Sequence, residues 1–347
     1  MSVFEHEEFS DHECVCFISD QPTNLRAIIA IHNTVLGPSG GGIRFFPYQN
    51  SEQALCDVLR LSKAMTYKFA LAGLPLGGGK SVIMGNPKTD KTESLLEAFG
   101  KAVDRLGGRY TCAEDVGISP DDMTVIHRQT KFVAGLPGKS GDTSPPTAYG
   151  VYQAILSGVS KRLGRENLTG VSVAVQGIGN VGWHLCKLLK EAGARIYVAD
   201  VDKEAVLKAV DAFGLETVGV EEILYLDTDV LAPCALGAVL NDRTIHKIQA
   251  KIICGAANNQ LAEERHGKML MDRNILYIPD FVANAGGAIS GSRDVTGASE
   301  SEAKQRIEAI YATCNQLFSF AEKERIPMNE AANRLAEEVI RSKILYA

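Results

Sequence analysis

The stretch VSVAVQGIGNVG, residues 171–182, decides the fold class of this chain. Six residues of strand type lead into a G-x-G-x-x-G turn, and a helix pattern begins inside the turn. A second strand pattern, residues 195–199, ends beside Asp200, which lies 18 residues after Gly182. A strand, a glycine turn, a helix and a second strand ending in an acid are typical of a dinucleotide-binding βαβ unit.

The glycines of this turn have separate tasks. The first permits the tight turn, the second lets backbone amides approach a pyrophosphate, and the third lets the helix pack on its strand. The start of the helix supplies N–H groups for the phosphates. Asp200 can accept a hydrogen bond from a ribose 2′-hydroxyl and would repel a 2′-phosphate, so NAD is expected rather than NADP. The residues assigned to the phosphates are Gly177, Gly179, Asn180, Val181 and Gly182.

The rest of the chain predicts an α/β protein of two domains, because 347 residues exceed the usual size of one domain. Alternating strands and helices around the glycine turn predict a doubly wound parallel sheet, a Rossmann-type domain, over residues 136–327. Residues 1–135 predict a mixed α/β substrate and oligomerisation domain, completed by a C-terminal helix at about 328–347. Its expected elements are strands at 14–18, 26–31, 43–46 and 81–84, and helices capped by Ser51 and at 91–106.

Composition excludes several classes of function. The formal net charge of −6 gives no electrostatic footprint for nucleic acid. No apolar run is long enough to cross a bilayer, and the acidic N-terminus lacks the parts of a signal peptide, so we expect a cytoplasmic protein. The eight cysteines form no CxxC pair, which favours reduced thiols and no metal site.

Three segments of the first domain collect reactive groups: KAMTYKFALAG (63–73), PLGGGK (75–80) and YTCAEDVG (110–117). A carboxylate beside a lysine can exchange protons with a substrate amine. Each charge taken alone is more typical of a solvated surface, but together with a dinucleotide unit the cluster favours an oxidoreductase. The GGGKS run is not a P-loop, because that motif needs a glycine at position 74, which is Leu74.

Nine ordered motifs along essentially the whole chain carry a resemblance to a known family. They are LGPSGGGIR (36–44), MTYK (65–68), GGGK (77–80), AEDVG (113–117), SPPTAYG (144–150), QGIGNVG (176–182), APCALG (232–237), GAANNQL (255–261) and NAGG (284–287). With them the sequence resembles the glutamate/leucine/phenylalanine/valine dehydrogenases, and most closely the branch that acts on leucine and other apolar amino acids.

The resemblance implies an oxidative deamination in a cleft between the domains, which yields a 2-oxo acid, ammonia and NADH. Lys68 would hold the substrate α-carboxylate. Lys80 would polarise the carbonyl or activate water, and Asp115 would carry the proton to and from the amino group. The other implied substrate residues are Met65, Gly40, Gly41, Ala113, Glu114, Ala288 and Gly291. The implied cofactor residues outside the glycine turn are Thr147, Asn258 and Asn284 at the nicotinamide and Cys234 and Ala235 near the adenosine.

The chain departs from the family pattern in its substrate pocket. Gly40 stands where glutamate dehydrogenases carry a lysine and leucine dehydrogenases a leucine. Ala288 and Gly291 are also smaller than the residues of leucine enzymes. We therefore expect a pocket that rejects glutamate and has room for a side chain larger than leucine. Pro146 is a further departure, in a motif where this position is usually not proline.

Three alternatives stay open from sequence. The substrate is leucine, valine or isoleucine, or else an aromatic amino acid such as phenylalanine or tryptophan. An inactive NAD-binding sensor is disfavoured because Lys68, Lys80 and Asp115 are all present. We expect a homo-oligomer, with a dimer favoured because the chain ends soon after Arg341.

Overall fold

The chain forms two compact units, each built on its own sheet. In this computed structural model, residues 2–136 and 140–345 are described. One unit comprises Met1–Gly141, Gly291–Ser299 and Glu337–Ala347, and the other comprises Asp142–Ser290 and Glu300–Ala336. The sequence-based division differs from this one in three ranges: it places residues 136–141 and 291–299 in the second domain and residues 328–336 in the first.

The first unit carries a five-stranded mixed sheet of order β1-β2-β4-β3-β5. Strand β2 is antiparallel to β1 and β4, whereas β3 is parallel to β4 and β5. Its strands are β1 (Cys14–Asp20), β2 (Leu25–Asn33), β3 (Ser39–Phe46), β4 (Gly77–Met84) and β5 (Tyr110–Glu114). Its first three helices are α1 (Ser51–Leu71), α2 (Glu93–Asp104) and α3 (Pro120–His127).

Two strands of this sheet include glycine-rich segments that the sequence analysis left outside them. The expected strands at 43–46 and 81–84 begin earlier, at Ser39 and Gly77. Helix α1 lies so close to β4 that a Cβ at Gly78 would be 2.1 Å from the backbone N of Thr66. Gly78 is needed for this close approach and not for a turn. The helix cap is also corrected: Asn50, not Ser51, caps α1, and its side chain accepts the N–H of Gln53.

The second unit carries a six-stranded sheet of order β11-β10-β9-β6-β7-β8, with every pairing parallel. Its strands are β6 (Ser172–Gln176), β7 (Arg195–Ala199), β8 (Glu216–Thr217), β9 (Val230–Pro233), β10 (Ile252–Ile253) and β11 (Leu276–Tyr277). Read from β8 and counted from β6, this is the order 3-2-1-4-5-6 of the dinucleotide-binding fold. The predicted fold class is confirmed.

The remaining helices follow in chain order: α4 (Ser144–Leu163), α5 (Asn180–Glu191), α6 (Lys203–Phe213), α7 (Arg265–Asp272), α8 (Asp280–Ala283), α9 (Ala285–Gly291), α10 (Arg293–Thr296), α11 (Glu300–Glu308), α12 (Ile310–Glu324) and α13 (Met328–Leu345). Pro146 lies in the first turn of α4, where a proline costs no helical hydrogen bond. None of the helices in the described part of the chain is long and apolar enough to cross a membrane.

A buried pair of histidines lies under α1 in the first unit. The rings of His12 and His32 meet edge to face, with centroids 4.9 Å apart. Nδ1 of His32 lies 2.8 Å from Oγ1 of Thr66, and Nε2 of His12 lies 3.0 Å from Oγ of Ser62. Burial, with the charges of His12 and Lys63, lowers the pKa of His32 from 6.5 to about 3. His32 is therefore neutral in the folded protein at neutral pH.

This histidine predicts a loss of stability on mild acidification. Below pH 6.5 the unfolded chain takes up a proton at His32 that the folded chain does not, so stability falls as the pH drops towards 3. From pH 7 to pH 5 we expect this residue to lower the free energy of unfolding by about 2 kcal/mol. Urea unfolding followed by circular dichroism at both pH values measures it.

His32→Gln should remove that share of the pH dependence, because glutamine can still hydrogen-bond Thr66 but does not titrate. The exposed His246→Gln serves as the matched substitution. An equal loss of stability from pH 7 to pH 5 in the His32→Gln and parent proteins would contradict the expectation.

Candidate active site

The centre of the first unit is a buried ion pair between two predicted catalytic residues. Lys80 lies in β4 and Asp115 directly follows β5, and β3 lies between these two strands. Nζ of Lys80 lies 2.6 Å from Oδ2 of Asp115, and the two side chains are 8% and 19% exposed. The parallel register sets Ser81, Ile43 and Glu114 side by side. Lys80 and Asp115, which are 35 positions apart in sequence, are the residues directly before and after that row, and the long lysine side chain spans the distance.

A third charged residue completes this group, and the sequence analysis assigned it no role. Arg44, in β3, places Nε 3.3 Å from Oδ2 of Asp115 and a terminal nitrogen 3.0 Å from Oδ2 of Asp57. The hydroxyl of Tyr48 donates to the same Asp57 oxygen at 2.6 Å. The signal available in the sequence was an arginine between GGGI and FF, an apolar setting in which a charge needs a partner.

The two cations decide the protonation state of Asp115. Burial alone raises the pKa of this carboxyl, but the charges of Lys80 and Arg44 outweigh it and lower the pKa to about 2. Asp115 is therefore a carboxylate at neutral pH.

The other predicted substrate residues of this unit lie on neighbouring elements. Met65 and Lys68 are half-buried in the last turns of α1, which packs on β4. Gly40 and Gly41 lie in β3, paired with Thr111 and Cys112 of β5, and Ala113 and Glu114 end that strand. A Cβ at Gly40 would lie 3.3 Å from the buried ring of Phe69, a neighbour that the sequence analysis missed.

Ala288 and Gly291 lie in α9. A Cβ at Gly291 would meet no atom within 4 Å, so this position borders open space.

In the second unit, the glycine turn has the geometry that its sequence requires. Gly177 has a φ of 102°, in the region that favours glycine. A Cβ at Gly182 would lie 2.1 Å from the carbonyl oxygen of Gly177, so any side chain there would push α5 away from the turn. The turn also packs against Cys234 and Ala235, since a Cβ at Gly177 would lie 2.9 Å from both residues.

The N-terminus of α5 is open to a ligand. Its N-cap is Gly179, and no side chain caps it. A Cβ at Gly179 would meet no atom within 4 Å, and Asn180 is exposed, as is Gly179. Uncapped N–H groups at a helix start attract an anion such as a pyrophosphate. The first turn of α5 is thus suited to a dinucleotide.

Asp200 lies at the end of β7 beside the turn. Its carboxylate accepts the N–H of Ile178 at 2.6 Å and the N–H of Asp202 at 2.9 Å. A carboxylate has four lone-pair positions, so two remain for ribose hydroxyls. The residue therefore holds the glycine turn in place as well as being available to a ribose.

The residues expected at the nicotinamide form one group. Nδ2 of Asn284 donates to Oδ1 of Asn258 at 2.8 Å and to the carbonyl of Ala256 at 3.0 Å. Thr147 lies against α9, the helix that begins directly after Asn284, because a Cβ at Gly287 in that helix would be 2.3 Å from Oγ1 of Thr147. Oδ1 of Asn284 is buried and has no hydrogen-bond partner among the described residues. A buried acceptor of this kind fits a donor such as a carboxamide.

A cluster of two acids and a histidine, and a separate cavity, lie outside these groups. Among the described residues, Asp242, Glu263 and His266 have ligand atoms within 4.8 Å of one another. Arg265 pairs with both acids, at 2.6 and 2.7 Å, so arginine already supplies the positive charge there. A cavity of about 620 Å³ borders α4, β11 and α12, and no predicted site residue lines it.

Comparisons with known proteins cover both units of the chain. The model of the Glu/Leu/Phe/Val dehydrogenase dimerisation domain matches residues 13–132, and the Glutamate/Leucine/Phenylalanine/Valine dehydrogenase model matches residues 138–220 and 201–344. Leucine dehydrogenase of Bacillus cereus is 47% identical over 345 residues, 99% of this chain and 94% of that protein. Phenylalanine dehydrogenase of Caldalkalibacillus thermarum is 44% identical over 352 residues, 99% of this chain and 95% of that protein.

A solved structure of a related enzyme is similar to this chain over almost its whole length. The crystal structure of L-tryptophan dehydrogenase from Nostoc punctiforme matches with a TM-score of 0.85 and 44% identity, covering 96% of this chain and 97% of that chain. The dinucleotide-binding domain and the buried lysine–aspartate pair thus belong to an amino-acid dehydrogenase. The chain is a member of the glutamate/leucine/phenylalanine/valine dehydrogenase family, and the resemblance seen in the sequence is confirmed.

Alanine should lower the stability of the protein at one glycine of the turn and leave it nearly unchanged at another. Gly182→Ala should lower the free energy of unfolding by about 1–3 kcal/mol, because its Cβ meets the carbonyl oxygen of Gly177 at 2.1 Å. Gly179→Ala is the matched control, because its Cβ enters open space and its φ of −69° suits alanine. Denaturant unfolding of both ligand-free variants compares them, and equal stability of the two would refute the packing argument.

Proposed function

We propose that this chain is an NAD-dependent dehydrogenase of an apolar L-amino acid. It converts the amino acid, NAD⁺ and water to the 2-oxo acid, ammonium, NADH and a proton, and it runs the reverse reductive amination. The observation that carries the proposal is the buried Lys80–Asp115 pair, 2.6 Å between Nζ and Oδ2, in a chain of this family. The 47% identity to a leucine dehydrogenase over nearly the full chain supports an apolar substrate.

Three residues of the first unit carry the chemistry in this proposal. Lys68 binds the α-carboxylate. Lys80 polarises the substrate carbonyl or activates the attacking water, and its buried position strengthens the charge it presents. Asp115 is ionised at neutral pH, since its pKa is about 2, and it takes a proton from the substrate amino group.

The second unit holds the cofactor in this proposal. The open N-terminus of α5 binds the pyrophosphate, and the unpartnered Oδ1 of Asn284 accepts from the carboxamide, with Asn258 and Thr147 beside it. Bound NAD⁺ supplies the acceptor for the hydride that leaves the substrate Cα. Asp200 selects NAD over NADP, because a 2′-phosphate would meet its negative charge.

The residues of the proposed side-chain pocket support an apolar substrate. No cation stands at position 40 to pair with a glutamate side chain, and an unpaired carboxylate in an apolar pocket costs several kcal/mol. The volume left by Gly40 is bounded by the ring of Phe69, which would lie 3.3 Å from a Cβ there. Open space at Gly291 favours a second candidate, a preference for phenylalanine or tryptophan over leucine.

We propose further that the chain is a homo-oligomer, with a dimer favoured, and that it acts in the cytoplasm. Residues 13–132 match a domain described as a dimerisation domain. All eight cysteines are free, which suits a reducing compartment.

One assay tests the activity and the cofactor together. Initial rates of reduced-nucleotide formation are measured for a panel of L-amino acids with NAD and with NADP. We expect kcat/KM for apolar amino acids to exceed that for glutamate by at least about 10²-fold, since a buried unpaired charge is strongly disfavoured. Asp200→Ala should reduce the preference for NAD, and Asp202→Ala is the control at an exposed neighbouring acid. Comparable kcat/KM with NAD and NADP in the parent protein would contradict the cofactor assignment.

Substitutions at positions 40 and 69 should shift the substrate preference in opposite directions. Gly40→Leu must displace the Phe69 ring and should lower the phenylalanine-to-leucine ratio of kcat/KM by about 10-fold or more, the worth of one or two methylene misfits. Phe69→Ala should raise that ratio, because it opens the space beside Gly40. The double variant should lie between the two. A ratio that neither substitution changes would show that positions 40 and 69 do not line the side-chain pocket.

A further inference from the structure

Arg44 bridges two carboxylates that come from different elements of the first unit. Asp57 lies in α1 and contacts a terminal guanidinium nitrogen with both oxygens, at 3.0 and 3.3 Å. Asp115 lies at the end of β5 and contacts Nε at 3.3 Å. The hydroxyl of Tyr48 donates to Asp57 at 2.6 Å and holds that carboxylate in turn. The guanidinium side chain is 18% exposed, so water screens these contacts little.

We propose that Arg44 is the positioning residue for Asp115, and that Asp57 and Tyr48 fix Arg44 in the required orientation. The inference rests on the proposed role of Asp115 as the proton carrier. Lys80 and Arg44 both contact Oδ2 of Asp115, so neither of these two contacts occupies Oδ1. The pair of cations therefore fixes the carboxylate by one oxygen.

The chemistry gives Arg44 a task that Lys80 cannot perform alone. In the proposed reaction the Lys80 ammonium turns to the substrate oxygen, and Asp115 then loses its nearest positive charge. A guanidinium does not give up its proton in proteins, so Arg44 can hold the carboxylate without competing as an acid. Asp57 holds the guanidinium from the other side, because both of its oxygens contact the same terminal nitrogen.

Arg44→Gln tests the proposal by a split between kcat and KM. We expect kcat to fall about 10–100-fold, because a misplacement of about 1 Å can cost 10²-fold. KM for the amino acid and the dissociation constant of NADH should change less than about threefold, since Lys68 lies about three turns after Asp57 in α1 and the glycine turn belongs to the other unit. Arg128→Gln is the matched control, an exposed arginine of the same unit that pairs with Glu93 and Glu97.

A double-mutant cycle with Asp115→Asn separates positioning from a structural role. Asp115→Asn alone should lower kcat about 10²–10⁴-fold. If Arg44 acts through Asp115, then Arg44→Gln should cause no further loss in the Asp115→Asn background. Losses that multiply in full would overturn the inference and leave the proposed function standing. Near-normal turnover of Asp115→Asn would overturn both, and normal turnover of Arg44→Gln beside a defective Asp115→Asn would overturn the inference alone.

Tyr48→Phe keeps the test decisive if Arg44→Gln does not fold. This variant removes one hydrogen bond to Asp57 and leaves every charge in place. We expect a folded protein whose kcat is about three- to tenfold lower with unchanged KM, about the worth of one ordinary hydrogen bond. Full kcat in a folded Tyr48→Phe protein would count against the network.

Discussion

The close contact of helix α1 with strand β4 is the constraint on which the first unit depends. Gly78 permits it, because a Cβ there would lie within 2.1 Å of the backbone N and the side-chain oxygen of Thr66. Lys68 follows Thr66 in the helix, and Lys80 follows Gly78 in the strand. The two lysines assigned to the substrate are therefore carried by two elements that lie in direct backbone contact. The distance between their backbones is set by packing and not by flexible loops, as an active site requires.

A second consequence concerns the charges that this packing encloses. Lys80, Arg44, Asp115 and Asp57 make two positive and two negative charges within one partly buried group. A buried charge without a partner would cost several kcal/mol, but a group that alternates in sign keeps each one compensated. The same balance keeps Asp115 ionised, with a pKa of about 2. Removal of one member therefore changes the protonation chemistry of the others, and the group has to be understood as a unit.

The sequence predicted the second unit better than the first, for a physical reason. The glycine turn depends on local features, a positive φ at Gly177 and the contact of Gly182 with the turn, and local features are encoded in adjacent residues. In the first unit the glycines of β3 and β4 serve contacts between distant segments, so the sequence analysis did not include them in the two strands. Arg44 was missed for the same reason. Its partners Asp57 and Asp115 are 13 and 71 positions away, and no local pattern joins them.

Position 40 shows why the free volume beside a residue cannot be inferred from that residue alone. Gly40 suggested a large free space, because the family carries a longer side chain there. The structure places the Phe69 ring 3.3 Å from where a Cβ at position 40 would lie, and Phe69 is itself 5% exposed. A glycine beside a buried aromatic ring is a change of shape as well as a gain of room, since the ring occupies part of the space that a longer side chain would need. Close packing couples such positions, so the free volume at position 40 depends on both residues and not on either one alone.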